Sequence, residues 1–397
     1  MLAPYEIVIV GAGAAGLMCA IEAGKRHKKV LVIDKANKAG KKILISGGGR
    51  CNFTNLWIEP EAYLSNNPHF HKSALARYTQ WDFIKLMDKH NLSWYEKTQG
   101  QLFCEQKSGA ILQMLLDECA QVGVDFVFNA SVTSLEFDTK YTLQTSQGGY
   151  QTNTLVVATG GASIPKMGAT DFGLQVAKQF NINTIDFTPA LVPLTFHIND
   201  INRYLKGLSG LSLEVVVECN GQSFRDFILI THKGISGPAI LQISLFWCPG
   251  NKLSINLLPD INATDWLITQ QQMRGKTTLK TVLSTHFPKR FAQRLANVLL
   301  PNSLENKPLS QINKSELSLF GHALNNWQLY PNATEGLRVA EVCLGGVDTN
   351  ELSSKIMQVK KQPSLYFIGE TVDVTGQLGG YNFQWAWSSG WVAGQVV

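Results

Sequence analysis

Glycines at positions 11, 13 and 16, in the run Gly11-Ala12-Gly13-Ala14-Ala15-Gly16, have the spacing that brings bare backbone N–H groups against an anion. Gly11 permits a tight turn, Gly13 lets the backbone approach a pyrophosphate, and Gly16 lets a following helix pack on a preceding strand. An apolar run at 7–10 before the turn and helical periodicity after it supply that strand and helix. A second apolar run at 30–33 ends in Asp34, about twenty residues on, where a carboxylate accepts a bond from an adenosine ribose hydroxyl. The order strand, glycines, helix, acid predicts a dinucleotide cradle, against the alternative of a ligand-free strand-to-helix turn.

A second glycine cluster follows closely. In Ser46-Gly47-Gly48-Gly49-Arg50-Cys51-Asn52-Phe53-Thr54-Asn55, three consecutive glycines bare their N–H groups. Ser46, Arg50, Asn52 and Thr54 add donors suited to an anion or a ring edge; a flexible surface loop is the other reading. Farther along, an apolar run at 155–158 reads as a buried parallel strand ending in Thr159-Gly160-Gly161, small residues where open α/β sheets bind ligands. Near the C-terminus the pattern returns: an apolar run at 364–368, Gly369-Glu370, Asp373, then Gly376-Gln377-Leu378-Gly379-Gly380-Tyr381-Asn382 and a helix from about 383 to 396. Such a helix start stabilises negative charge on the pyrimidine edge of a reduced flavin, with Glu370 or Asp373 bonding ribityl hydroxyls.

Two residues have the chemistry of a proton donor. Cys51 lies on the second glycine cluster, and His232 lies in Thr231-His232-Lys233-Gly234-Ile235-Ser236-Gly237-Pro238, just before a helix start capped by Ser236 or Gly237. A buried inert thiol and a hydrogen-bonded loop histidine are the competing readings of the pair.

The elements expected to position these residues are strands at 7–10, 30–33, 124–127, 132–137, 141–145 and 155–158, and helices at 68–91, about 108–119 and 172–180. In the first of these helices Tyr78, Trp81 and Ile84 share a face, and Ser108 caps the second. Around Pro189 the character changes: 213–219 and 224–230 alternate as antiparallel strands do, and 262–322 is mainly helical. The latter carries Arg274, Lys276, Lys280, Lys289, Arg290 and Arg294 among apolar positions, a solvated helix face on the ordinary reading and a polyphosphate-facing surface on the other. Two parts follow, 1–190 joined with 344–397, and an insert at 191–343.

A length of 397 residues with 45% hydrophobic content suits two domains with sizeable cores. A net charge of +5 permits a polyanionic partner without requiring one. The seven cysteines are scattered and never spaced C-x-x-C, which argues against a disulfide framework, a zinc site or a redox dithiol and suits a reducing cytoplasm. No apolar run is long enough to span a bilayer, and the N-terminus passes into a strand without leader character, so a cytoplasmic protein with no membrane partner is expected.

These motifs, with K-K-I-L-I-S-G-G-G-R-C-N-F-T-N at 41–55, V-A-T-G-G at 157–161, T-H-K-G-I-S-G-P at 231–238 and G-E-T-V-D-V-T-G-Q-L-G-G-Y-N at 369–382, resemble those of the HI0933-like (BaiN/YhiN) flavoproteins over essentially the whole chain. The resemblance implies an α/β fold in which an FAD-binding Rossmann-like domain, of the two-dinucleotide-binding type, carries an inserted β-rich and helical domain. Carried over by position, Gly11 to Gly16 and Asp34 hold the ADP portion, Ser46 to Asn52 lie near the flavin, Thr159 to Gly161 near the diphosphate, and Gly369 to Asn382 around the ribityl chain and ring. Lys35, Lys42, Val132 and Phe383 complete the expected cofactor-binding set.

The resemblance fixes the cofactor better than the reaction, since such proteins are associated with reduction of conjugated double bonds, oxidation of a small aminoketone, and reduction of uridine in ribosomal RNA. One strong G-x-G-x-x-G leaves no second dinucleotide domain, so NADH or NADPH is expected as a transient donor, and the absence of a dithiol removes disulfide reduction. The leading expectation is an FAD-dependent reductase of an activated C=C bond, with uridine in ribosomal RNA as substrate and Cys51 or His232 as acid. The alternatives are a flavin amine (aminoketone) oxidase and a non-catalytic flavoprotein that binds RNA or ribosomes.

Overall fold

β1 (Ala3–Val10) passes from half-exposed to fully buried along its length, because only its second half runs through the covered middle of a sheet. It leads through the glycine turn into α1 (Ala14–Lys25), and β2 (Val30–Ile33), buried throughout, pairs parallel beside it. The computed structural model describes residues 2–299 and 306–397. The chain forms two units, residues up to Pro189 together with Ala340–Val397, and Ala190–Val339.

The first unit continues with α2 (Lys41–Gly49), β3 (Asn52–Asn55), β4 (Tyr63–Leu64), α3 (Lys72–Arg77), α4 (Gln80–Lys89), β5 (Trp94–Glu96), β6 (Gln101–Cys104) and α5 (Lys107–Gln121). After these come β7 (Asp125–Val127), β8 (Val132–Phe137), β9 (Tyr141–Thr145), β10 (Gly148–Val157), α6 (Phe172–Gln179) and β11 (Thr184–Ala190). The single helix expected at 68–91 is two helices. Tyr78 turns extended (φ −135°, ψ 101°), and the chain restarts where Asp82 accepts the Thr79 N–H at 2.9 Å. That break rotates Trp81 away from Tyr78 and Ile84, leaving it 50% exposed while both partners are buried. Ser108 does not cap α5: Gln106 holds that position, and the Ser108 hydroxyl donates to the Leu44 carbonyl at 2.9 Å. The 46–55 segment is only partly a loop, because Asn52–Asn55 pairs with β6.

The second unit contains β12 (Leu194–Thr195), α7 (Ile198–Asp200), a π-helical turn at Ile201–Leu205, β13 (Ser212–Cys219), β14 (Gln222–Ile230), β15 (Gly234–Ser236) and α8 (Pro238–Ile243). It goes on through β16 (Leu253–Asn256), α9 (Ala263–Arg274), α10 (Leu279–Leu283), α11 (Lys289–Leu299), α12 (Lys314–Asn325), β17 (Trp327–Leu329) and β18 (Ala333–Thr334). Its strands form one antiparallel sheet in the order β17-β16-β13-β14-β15-β12-β18. Val215 and Val217 of β13 share a core with Leu267, Phe291 and Phe320 of the helices. The expected helical stretch at 262–322 is thus four helices, with its residues 300–305 outside the described ones.

The chain returns to the first unit as β19 (Val342–Val347), β20 (Leu365–Phe367), β21 (Thr375–Gly376) and α13 (Tyr381–Gly394). The main sheet runs β7-β2-β1-β10-β9-β8. One edge of β10 is shared, its first half pairing antiparallel with β9 and its last three residues parallel with β20. α13 packs on α1 through small residues, for a Cβ on Gly390 would sit 2.4 Å from the Ala15 carbonyl. It begins two residues earlier than expected because Gly380, at φ 98°, takes the N-cap. Among the described residues no helix is long and apolar enough to cross a membrane.

Candidate cofactor and active site

The parallel strands stop at one level. Val10 is in register with Ile33 and Val157, Ile33 with Val127, and Val157 with Phe367. The segments that follow three of these ends, at Gly11, Thr159 and Gly369, are therefore delivered to one edge of the sheet together with Asp34. That edge is where ligands of open α/β sheets bind. Gly16 is compulsory to this arrangement, since a Cβ there would lie 1.9 Å from the Gly11 carbonyl oxygen.

α1 starts at this edge with Gly13 as N-cap, no capping side chain and no acid in its first turn. Its first N–H groups are left for an outside acceptor, and nothing lies within 4 Å of a Cβ built on Gly13. Gly13 and Ala14 are half-buried and Ala15 is buried. A diphosphate fits such a terminus, drawn by the N–H groups and the positive end of the helix dipole. Asp34 takes the Ala12 N–H on one carboxylate oxygen and the Ala36 N–H on the other, each at 2.7 Å. A carboxylate has about four acceptor sites, so two remain for ribose hydroxyls. Lys35 is exposed beside it, and Val132 is half-buried at the start of β8.

Lys42 of α2 reaches across to the C-terminal segment. Its ammonium lies 2.9 Å from Glu370 Oε2 and donates to Ser163 Oγ at 2.8 Å, while Glu370 Oε1 accepts the Cys343 N–H at 3.0 Å. The pair is part-exposed, so its value is positional and of order 1 kcal/mol or less. Thr371 Oγ1 accepts the Gly160 N–H at 2.9 Å, and Thr159 Oγ1 is buried without a partner. The carboxylate of Glu370, expected on ribityl hydroxyls, is here engaged by Lys42 and Cys343.

The second glycine cluster ends α2 in a left-handed run. Ser46 is extended, Gly47, Gly48 and Gly49 have φ of 55°, 66° and 84°, and Cys51 follows at φ 54°. A non-glycine residue in that region is strained, a feature that clusters at functional loops. Gly48 and Arg50 are exposed, Ser46 is half-buried, and Cys51 is 0% exposed. Burial pushes the Cys51 thiol up to about 12, against a smaller downward pull from a hydrogen bond with Ser46.

The strand after this cluster is stitched to α13. With its amide turned to suit its neighbours, Asn52 accepts the Gly380 N–H at 3.2 Å and donates to Leu102 and Thr54. Asn55 donates to the Gly379 carbonyl at 2.9 Å, Thr54 to Gln384 Oε1 at 2.6 Å, and the Trp387 indole to the Phe53 carbonyl at 2.9 Å. The α13 start, like that of α1, has no capping side chain and no acid. Tyr381 and Phe383 are half-buried there, the latter stacked on Trp387 at 5.5 Å. Asn382 spends its amide on Gly376, and Asp373 is buried, accepting the Asn66 N–H at 2.9 Å; burial raises its carboxyl above the usual range.

Two groups of the expected residues therefore come together in one unit, one around α1 and the other around the α13 start. His232 belongs to the second unit, exposed on the bend before β15. The sequence reading missed Ser163, Cys343 and Thr371. Only Thr371 lay inside a motif that could have flagged it.

The family model of the HI0933-like protein Rossmann domain matches residues 5–396. A protein of Escherichia coli (strain K12) named ribosomal RNA dihydrouridine synthase is 49% identical over 98% of this chain and 97% of its own. One of the same name from Haemophilus influenzae is 45% identical over 97% and 96%. Among solved structures, the 3-ketosteroid-Δ4-(5α)-dehydrogenase of Rhodococcus jostii RHA1 covers 99% of this chain and 97% of its own with a TM-score of 0.51, at 14% identity, a likeness of fold.

Proposed function

This chain belongs to the HI0933-like family of flavin-dependent oxidoreductases, and from that premise we propose that it is a cytoplasmic FAD enzyme that reduces uridine to dihydrouridine in ribosomal RNA with electrons from NADH or NADPH. The observation that carries the substrate is the 49% identity, over almost the full length of both chains, with a protein that bears that activity in its name. The cofactor reading is supported by two uncapped, acid-free helix starts in one unit.

In this reading the first turn of α1 holds the diphosphate and Asp34 the adenosine ribose, with Lys35 and Val132 flanking the adenosine. Gly160, Gly161, Lys42 and Glu370 line the middle of the cofactor. The segment from Ser46 to Asn52 and the α13 start, from Gly380 to Phe383, would hold the ring end of the cofactor, and Asp373 would serve its ribityl chain. FAD bound there supplies hydride to a double bond made electron-poor by the adjacent carbonyl. The chain supplies one proton, so that uridine, NAD(P)H and H⁺ become dihydrouridine and NAD(P)⁺.

Two residues are proposed for that proton. Cys51, buried and with its thiol pushed up to about 12, would hold it at Sγ. His232 is the second candidate. The unit Ala190–Val339 is proposed to engage the substrate.

Deleting the gene is expected to lower the dihydrouridine content of ribosomal RNA, read by mass spectrometry of nuclease digests, and re-expression is expected to restore it. An unchanged dihydrouridine content would overturn the substrate assignment. Hydrogen peroxide formed from an amine and oxygen, without a nicotinamide donor, would instead favour an oxidase.

A further inference from the structure

The second unit gathers cations from two segments about ninety residues apart. α11 buries Phe291, Ala292, Leu295 and Ala296, and its remaining face carries Lys289, Arg290 and Arg294. Arg294 donates to the carbonyls of Lys206 at 2.7 Å and Arg203 at 3.3 Å, and Arg290 to that of Gly207 at 3.4 Å. Two arginines thus close the carbonyl end of the π-helical turn Ile201–Leu205, as cations do at helix C-termini. In doing so they bring Arg203 and Lys206, both exposed, beside the exposed Lys289 and Arg290.

The end of one short helical turn needs no further positive charge, yet Arg203, Lys206 and Lys289 are added to it. Among the described residues none of these five cations is ion-paired with a carboxylate. Elsewhere in the same unit Arg225 is bridged to Glu214 and Asp260, and Lys233 to Glu335. Uncompensated cations held together repel one another, and the natural counterpart of such a face is a polyanion.

We propose that this face grips the phosphate backbone of ribosomal RNA. The proposal rests on the substrate reading above and adds where the RNA is held. Arginine offers several N–H donors, so Arg290 and Arg294 keep donors for phosphate after their carbonyl bonds, and contacts of this kind position RNA without reading its sequence.

The test uses the full-length, FAD-loaded protein and unmodified ribosomal RNA from cells lacking the gene. The variant R203Q/K206Q/K289Q leaves Arg290 and Arg294 in place to hold the turn. It is expected to weaken RNA binding about 10- to 100-fold at low salt and to flatten the slope of log K against log salt by about two. Flavin content and the rate of flavin reduction by NAD(P)H are expected to stay unchanged, and dihydrouridine formation should recover at high RNA, a KM effect. Unchanged affinity and slope, with the parent protein still modifying the RNA, would overturn the patch and leave the enzymatic reading standing. A parent protein that neither binds nor modifies ribosomal RNA would overturn both. A variant that loses only binding to phosphatidylglycerol vesicles would also overturn the assignment to RNA.

Discussion

Replacing Gly13 with aspartate is expected to abolish FAD binding while leaving the apoprotein at least as stable as the parent. The backbone at Gly13 is extended (φ −86°, ψ −170°) and nothing lies within 4 Å of a Cβ there, so the side chain is accommodated without strain. An aspartate at this N-cap can accept a free N–H of the first turn and meets the positive end of the helix dipole, together worth a few tenths to about 1 kcal/mol. The same charge stands where the diphosphate belongs. A like charge about 4 Å away costs about 4 kcal/mol at an effective dielectric of 20, roughly a thousandfold in affinity. Thermal melting of the apoprotein and titration with FAD read the two effects separately. A Gly13→Asp protein that purifies yellow and binds FAD within about tenfold of the parent would remove the nucleotide from this helix. Gly13→Ala, which puts a Cβ but no charge where the backbone meets the diphosphate, should weaken FAD binding less than Gly13→Asp.

Cys51→Ala is expected to slow the transfer from reduced flavin to RNA by about 10²- to 10⁴-fold, the range of general acid catalysis, with reduction by NAD(P)H unaffected. The split between half-reactions separates loss of an acid from loss of packing, which would disturb both. The pH dependence follows from the raised thiol. An ordinary thiol, near 9.0, would lose its proton and its usefulness as an acid above that pH, whereas one held up to about 12 stays protonated, so the parent rate should not fall as pH rises through 9.0. Transfer within about threefold of the parent would exclude Cys51 and move the role to His232.

The parts of this molecule legible in the sequence are those set by near neighbours. The glycine spacing at 11–16, the apolar runs of β1, β2 and β10 and the strand-turn-helix near the C-terminus each carry their geometry within a dozen residues. Period and turn chemistry suffice for that. Tyr78 shows how a local signal can be overridden, for its apolar spacing continues a helix while the Thr79–Asp82 cap starts another. The joining of Lys42 to Glu370, 328 residues apart, had no local signal at all. The burial of Cys51, which the sequence left open beside a role as acid, comes from β6 and α13 closing over its neighbours. The basic helix was visible as a pattern. That Arg294 draws Arg203 and Lys206 to it depends on bonds to carbonyls, which any sequence supplies equally.

The most direct measurement takes the FAD-loaded protein, reduces it without oxygen by NADH or NADPH, and mixes it with unmodified ribosomal RNA in a stopped-flow spectrometer. The expected result is return of the oxidised flavin absorbance in step with dihydrouridine formed, one for one. Flavin that stays reduced in the presence of the RNA, or is reoxidised only by oxygen, would contradict the account.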